Sequence, residues 1–119
     1  MQSIGVDIVV ISRITSFKER FGSKGLGKFL SNDEIALAKS EQSLAGFWAA
    51  KEACAKALGC GIGKELSFSD IYISKDNKGK PLIELSLEKK EYFKVESLSL
   101  SISHDGGFAI AVVAVQFMK

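Results

Sequence analysis

The chain has 119 residues, of which 46% are hydrophobic and one is proline, and its formal net charge is +2. This length predicts a single domain, residues 1–119, with a modest core. The start of the chain does not resemble a signal peptide, and no segment is long and apolar enough to cross a membrane. Cys54 and Cys60 are too few for a disulfide framework and match no common zinc spacing, so we expect reduced thiols in a cytoplasmic protein.

The first predicted element is a strand over residues 3–11, apolar on both faces except at Gly5 and Asp7. Ser12 is expected to cap a short helix after it. The residues that this helix would bury are Ile14, Phe17 and Phe21.

Two further helices are predicted before the middle of the chain. Ser31 and Glu34 have capping-box spacing, which predicts a helix through about Ser40. The main helix follows over residues 43–58, and Gly59 is placed to cap its end in the left-handed conformation. Within its apolar stripe lies one charged residue, Lys51. A buried charge requires a partner or a ligand.

The second half of the chain is mostly strand. Residues 68–75 and 81–85 are predicted strands joined by a tight turn at 76–80, and residues 87–95 have helical composition. Leucine and isoleucine alternate with serine over 97–103, which is typical of a strand with one buried face. The last strand, 108–115, is apolar on both faces, which predicts that a copy of the chain covers one of them.

Asp7 and Glu52 lie on different predicted elements, so a strand packed on the main helix could bring their carboxylates to one site. Two such oxygen donors, completed by water and phosphate oxygens, suit Mg²⁺. Lys51 and Lys56 would supply the positive charge that a diphosphate needs. The alternatives are a buried acceptor at Asp7, a surface pair of Glu52 with Lys56, and a snorkelling Lys51.

Positive charge is concentrated in residues 12–28, which contain five basic residues and one acidic residue. This segment is either a solvated helix face or, through Arg13, Arg20 and Lys24, a docking surface for an acidic partner. The second interpretation allows an alternative function, a non-catalytic oligomeric module that binds an acidic protein. Nucleic-acid binding is disfavoured because no exposed aromatic residues are interleaved with the basic ones.

Several motifs, taken together, are more specific than these patterns. The chain resembles the holo-acyl-carrier-protein synthases, the small bacterial type of 4′-phosphopantetheinyl transferase, over essentially its whole length. The segments that carry the resemblance are Gly5-Val6-Asp7-Ile8-Val9, Phe47-Trp48-Ala49-Ala50-Lys51-Glu52-Ala53, Gly61-Ile62-Gly63 with the following Leu66 to Ile71, Asn77-Lys78-Gly79-Lys80-Pro81, and Ser101-Ile102-Ser103-His104.

The resemblance implies an α+β fold, with a small antiparallel sheet packed against one long and several short helices, assembled as a homotrimer with active sites between subunits. It also implies Mg²⁺-dependent transfer of 4′-phosphopantetheine from coenzyme A to a serine of apo acyl carrier protein, for fatty acid biosynthesis. Adenosine 3′,5′-bisphosphate would be the other product. No nucleic acid or membrane partner is implied.

The same resemblance implies roles for individual residues. Asp7 and Glu52 would be the metal ligands, and with Lys56, on the attacked phosphate, they would form the catalytic set. Lys51 would bind phosphate or hold Glu52. The expected coenzyme A contacts are Lys51, Lys56, Gly61, Gly63, Pro81, Ser103 and His104, and the expected carrier-protein contacts are Arg13 and Arg20, beside Lys24 of the same basic segment.

One position departs from the family pattern. Many members carry an arginine where this chain has Phe47, and that arginine would help to hold the 3′-phosphate of coenzyme A. We expect another cation to replace it, either Lys39 or a lysine of a neighbouring subunit.

Overall fold

Five strands and four α-helices make up the fold in a computed structural model that describes residues 1–119. The α+β class is therefore confirmed. A short 3-10 turn, Phe68–Asp70, precedes the second strand. The elements are β1 (Gln2–Val10), α1 (Ile11–Leu26), α2 (Asn32–Leu37), α3 (Glu41–Ala57), β2 (Ile71–Lys75), β3 (Pro81–Leu85), α4 (Leu87–Tyr92), β4 (Val95–Asp105) and β5 (Phe108–Phe117).

The strands form two antiparallel sheets. The larger has the order β1-β5-β4, and β2 and β3 form a separate hairpin. In the larger sheet Gly5 lies opposite Val113 and Asp7 opposite Ala111. Because side chains alternate along a strand, Gly5, Asp7 and Val9 share one face of β1, and this face meets α3.

Helix α3 is the centre of the fold and is buried on nearly every side. Small residues let it lie close to the sheet: Ala49, Ala53 and Ala57 are almost fully buried. At Gly5 the two backbones touch, since a Cβ there would collide with the carbonyl oxygen of Ala53 and lie 2.5 Å from the amide nitrogen of Ala57. Only glycine permits this approach.

An aromatic cluster packs on the other side of α3. The Trp48 ring lies 5.1 Å from that of Phe29 and 5.3 Å from that of Phe68, measured between ring centroids. These contacts join α3 to the segments that lead into α2 and β2, and they bury the face of α3 that also carries Lys51.

The face of the larger sheet opposite α3 is apolar and open. On β1, Ile4 is 69% exposed and Ile8 is 57% exposed. Val6, Val10, Phe108, Ile110 and Val112 extend this apolar surface, which we call the open face. No helix of the structure is long and apolar enough to span a membrane.

Several local predictions are confirmed. Ser31 and Glu34 form the predicted capping box. Gly59 follows the end of α3 with a φ of 82°, the left-handed conformation expected of a cap. The residues between β2 and β3 form a turn, and β3 has the predicted bounds.

Others are corrected. Ser12 does not cap α1, whose first residue is Ile11 and whose N-cap, Val10, makes no side-chain cap bond. That helix is longer than predicted because Gly22, which has non-helical backbone angles, kinks it without ending it. Phe21 is exposed instead of buried, and the helix predicted through Ser40 ends at Leu37.

Candidate active site

Three of the predicted site residues meet where β1 packs on α3. The Lys56 Nζ donates to Asp7 Oδ1 at 2.9 Å and to the carbonyl oxygen of Val6 at 3.1 Å. Glu52 lies one helical turn before Lys56, on the same face of α3. The strand and the helix thus bring together residues that are 45 positions apart in the chain.

The electrostatics of Glu52 show that Asp7 is its neighbour. Burial raises the pKa of Glu52, and the negative charge of Asp7 raises this pKa further, against the opposing effects of Lys56 and Arg13. Two carboxylates held so close repel each other unless a cation lies between them. Lys56 partly supplies that cation, but its side chain is 55% exposed, whereas that of Asp7 is 13% exposed.

The donor set fits a hard cation that keeps ligands from outside the protein. No group of three or more histidine, cysteine or carboxylate side chains comes together anywhere in the chain. Two carboxylates with excess negative charge are what Mg²⁺ uses when water and substrate phosphates complete its shell. An all-protein cage for Ca²⁺ or a structural zinc site would need more ligands.

The glycine segment after α3 borders this site. The Gly61 N–H donates to the carbonyl oxygen of Ala55, one residue before Lys56. At Gly61 and Gly63 no atom lies within 4 Å of where a Cβ would be. This leaves room beside the backbone, next to Lys56.

Lys51 is placed differently from the expectation. Its ammonium donates to Glu34 Oε1 at 2.8 Å and to the carbonyl oxygen of Phe68 at 3.1 Å, and the residue is 1% exposed. Burial lowers the pKa of Lys51, and the hydrogen bond to Glu34 opposes this shift. Lys51 therefore neither holds Glu52 nor offers its charge to a phosphate beside Lys56. The positive charge of Lys51 is instead paired with the buried carboxylate of Glu34.

A second group of predicted residues lies toward the other end of α3. His104 and Pro81 line one cavity of about 170 Å³, together with Gln42, Ser43, Phe47, Lys75, Gly79 and Ile102. Along the axis of α3, Phe47 lies about 8 Å from Glu52, and Gln42 lies about 15 Å from it. Ser103 lies beside His104 on a smaller cavity of about 70 Å³.

Lys75 is a residue of this cavity that the sequence did not single out. Its ammonium lies 5.9 Å from the centroid of the Phe47 ring. Lys39, which was expected to compensate for the missing arginine, does not line the cavity. Lys75 is the last residue of β2, directly before the turn at 76–80 and two residues before the quoted motif, so only its position on a strand end could have pointed to it.

The largest cavity, about 630 Å³, is next to this one and away from the carboxylates. It lies between the β4–β5 turn and the start of α1, and Gln42 and His104 line both cavities. Of the two carboxylates, Asp7 lies on the edge strand β1 and Glu52 on α3, and neither lines either of these cavities.

The predicted docking residues are exposed along α1. Arg20 lies over the Phe21 ring, with its Cζ 5.1 Å from the ring centroid, and Lys28 lies 5.9 Å from the same centroid. Arg13 and Lys24 are also exposed. Arg13 is close enough to Glu52 to lower its pKa, so this basic surface begins at the carboxylate site.

The cysteines do not form a reactive centre. Burial raises the pKa of Cys54 to about 12, and burial also raises the pKa of Cys60. Both thiols are free. They are not activated nucleophiles, because the thiolate form is disfavoured at each position.

Comparison with known proteins defines the class. The family model of the 4′-phosphopantetheinyl transferase superfamily matches residues 3–113, and the chain belongs to this superfamily. The holo-[acyl-carrier-protein] synthase of Helicobacter pylori strain 26695 is 62% identical, over 94% of this chain and 95% of its own length. That of Sulfurimonas denitrificans is 57% identical, over 95% of this chain and 93% of its own.

The structural comparison agrees. The crystal structure of Helicobacter pylori holo-[acyl-carrier-protein] synthase in complex with coenzyme A superposes with a TM-score of 0.93 at 60% identity, covering 95% of this chain and 99% of that one. Within the superfamily, this chain is therefore a transferase of the holo-acyl-carrier-protein synthase type. The alternative of a non-catalytic module is wrong.

Proposed function

We propose that this chain transfers 4′-phosphopantetheine from coenzyme A to a serine hydroxyl of an apo acyl carrier protein, with Mg²⁺ as cofactor and adenosine 3′,5′-bisphosphate as the second product. The observation that carries the proposal is the convergence of Asp7, Glu52 and Lys56 where β1 meets α3. A relative 60% identical was crystallised with coenzyme A, which supports the choice of donor.

Asp7 and Glu52 would hold the Mg²⁺, whose contribution is to neutralise charge on the diphosphate of coenzyme A. Lys56 binds the phosphate that is attacked. To do so its ammonium, whose side chain is 55% exposed, leaves Asp7, and the Mg²⁺ would then balance the charge of that mostly buried carboxylate. The proton of the serine hydroxyl passes to Glu52 or to water.

The nucleotide end of coenzyme A would occupy the cavity of His104 and Pro81. Lys75 and His104 are the groups there that can meet the 3′-phosphate, and Lys75 replaces the arginine that is absent at position 47. The distance of about 8–15 Å along α3 between this cavity and Glu52 suits a ligand that extends from a nucleotide to a diphosphate. Ser103, which lines the smaller cavity next to His104, would also contact the nucleotide.

The proposed assembly is a homotrimer with active sites between subunits. The open face supports it, because a large exposed apolar surface marks a protein interface. Phe108 and Ile110 of this face line the cavity that Ser103 and His104 share. A neighbouring subunit on the open face would therefore lie against the nucleotide end of the site.

The acidic carrier protein would dock on α1 through Arg13, Arg20 and Lys24. Arg13 lies near Glu52, so a protein bound along α1 has its serine delivered to the carboxylate site.

A transfer assay tests the proposal directly. The protein is mixed with apo acyl carrier protein, coenzyme A and Mg²⁺, and mass spectrometry follows the gain of one phosphopantetheine by the carrier protein. We expect Glu52→Gln to lower turnover by about 100-fold or more, since a metal-ligand charge is lost. The control is Glu88→Gln on the exposed surface of α4, which should match the wild type. Absence of transfer by the wild type, or wild-type turnover of Glu52→Gln at saturating Mg²⁺, would refute the mechanism.

A further inference from the structure

Glu34 and Lys51 form a buried ion pair outside the site described above. The Lys51 ammonium binds Glu34 Oε1 at 2.8 Å, and the two side chains are 1% and 4% exposed. Oε1 of Glu34 also accepts from the Ser31 N–H at 2.8 Å, and Oε2 accepts from the Ile73 N–H at 2.7 Å. This carboxylate thus joins the first turn of α2, the middle of α3 and the backbone of β2.

Stability alone is a weak reason for such a pair. Removing two charges from water costs more than their attraction commonly returns, and apolar residues of similar volume would often serve stability as well. The pair also fixes the orientation of the side chains, because two backbone N–H groups hold the Glu34 carboxylate and so fix the positions of its oxygens. The Lys51 ammonium is consequently held in one position by Glu34.

Fixing Lys51 fixes the rotation of α3 about its axis. Gly5 touches the backbone of Ala53 on the sheet side of the helix, and Lys51 is bound to Glu34 and to the Phe68 carbonyl on another side. Glu52 is the residue after Lys51. A rotation of α3 by about 20° would move a carboxylate about 5 Å from the axis by about 2 Å.

We propose that Glu34 and Lys51 are a positioning pair, which holds Glu52 at the separation from Asp7 that a shared divalent cation requires. This inference rests on the proposed function, because it assigns to that site the device that aligns it. Neither residue touches the substrates. Misplacing a reacting group by about 1 Å can reduce turnover by about 100-fold, so alignment at this scale decides the rate.

The principal test is the double variant Glu34→Gln/Lys51→Met, which removes both charges at similar volume and leaves no buried charge unpaired. The matched control is Glu88→Gln/Lys89→Met. It removes an ion pair of α4, away from α1 and from the carboxylates, with a Nζ to Oε1 distance of 3.9 Å. Folding is followed by thermal denaturation, and kcat and KM are expressed per folded molecule.

The second readout is metal binding without turnover. Mn²⁺ affinity is measured by electron paramagnetic resonance in the presence of coenzyme A, with no carrier protein. We expect the double variant to have kcat lowered about 10- to 100-fold, Mn²⁺ affinity lowered about tenfold and KM for coenzyme A within about twofold of wild type. The control should match the wild type in all three.

A merely structural pair would change the unfolding temperature and leave kcat and Mn²⁺ affinity per folded molecule unchanged, and that result overturns the proposal. If the double variant does not fold, Glu34→Asp replaces it, since this change keeps the charge and withdraws the carboxylate by one methylene. Wild-type kcat and Mn²⁺ affinity in folded Glu34→Asp would likewise overturn it. If the wild type transfers no phosphopantetheine, the proposed function fails, whereas the Mn²⁺ measurement still decides the positioning role.

Discussion

Asp7 and Glu52 both lie at the contact of β1 with α3, near enough for the charge of Asp7 to raise the pKa of Glu52. Desolvation and the charge of Asp7 both raise this pKa above the ordinary value of 4.5. In the folded protein without a metal, the ionised form of Glu52 is therefore less favourable than in the unfolded chain. Stability from this residue is present below about pH 4.5 and is lost as the pH rises through the raised, folded-state pKa.

This electrostatic repulsion makes Glu52→Gln a stabilising change in the absence of metal. At pH 7 with a chelator, we expect the variant to unfold about 1–4 °C above the wild type, because it carries no charge next to Asp7. At pH 4 the difference should be much smaller, since the wild-type carboxyl is then largely protonated. Thermal denaturation at both pH values measures this. A variant less stable than the wild type at pH 7 would contradict the assigned contact.

At the scale of elements, the contact of β1 with α3 determines where the two carboxylates lie. Gly5 allows the backbones to touch, and Asp7 is the next residue of β1 on the same face. Any side chain at position 5 would force the strand away from Ala53 and carry Asp7 away from Glu52. The packing of the two elements and the geometry of the site are therefore linked through one glycine.

We expect Gly5→Ala to lower the free energy of unfolding by about 3 kcal/mol, because its Cβ meets backbone atoms that cannot move aside cheaply. Denaturant unfolding checks this value. The control is Gly27→Ala, where the nearest atom to a Cβ is the Ser23 carbonyl oxygen at 3.4 Å, an ordinary contact. Equal stabilities of the two variants would show that the backbones of β1 and α3 are not in tight contact at Gly5.

Helix α1 is the element proposed to bind the carrier protein. We expect Arg20→Glu to raise KM for the carrier protein about tenfold, with the effect declining at high salt, while KM for coenzyme A stays unchanged. Arg20 suits this test better than Arg13, whose charge also reaches Glu52. Lys90→Glu on α4 is the charge-matched control. If both KM values change together, Arg20 does not act in docking.

At the scale of the whole molecule, the open face is an apolar surface that no other part of the chain covers. Its residues belong to β1 and β5, and their register places Ile8 opposite Ile110 and Val6 opposite Val112. The serines of β4 continue this face beyond the apolar band, since Ser103 lies opposite Ile110 and Ser101 opposite Val112. The surface is thus apolar at its centre and polar at one side, as interfaces are.

The proposed trimer predicts that a charge in this band disrupts the assembly. We expect the wild type to have the mass of three chains in light scattering, and Ile110→Asp to have the mass of one and to lose most transfer activity. Leu87→Asp, at the start of α4, places the same charge at a residue that is 81% exposed and should remain trimeric. A monomeric wild type would refute the assembly.

Much of the fold and part of the site could be predicted from the sequence, because the responsible interactions are local. A capping box, a glycine cap and a tight turn each depend on a few neighbouring residues, and Ser31, Gly59 and the 76–80 turn were predicted correctly. Asp7 was recognised as a charge that interrupts an apolar strand. The predictions that Ser12 caps α1 and that Phe21 is buried are wrong, because the direction in which α1 leaves β1 depends on packing.

The sequence by itself determined the family motifs and, through periodicity, most of the strands and helices, and the resemblance carried by those motifs implied the α+β class. Residue type alone marked Asp7 and Glu52 as the proposed acidic pair. Only the tertiary structure decided which charges pair. Lys51 was the conspicuous cation of α3, yet its partner is the capping residue Glu34, 17 positions away, and Lys56 is the cation that reaches Asp7. Contacts between distant residues follow from how α3 rotates and packs between two layers, and no local pattern encodes that rotation.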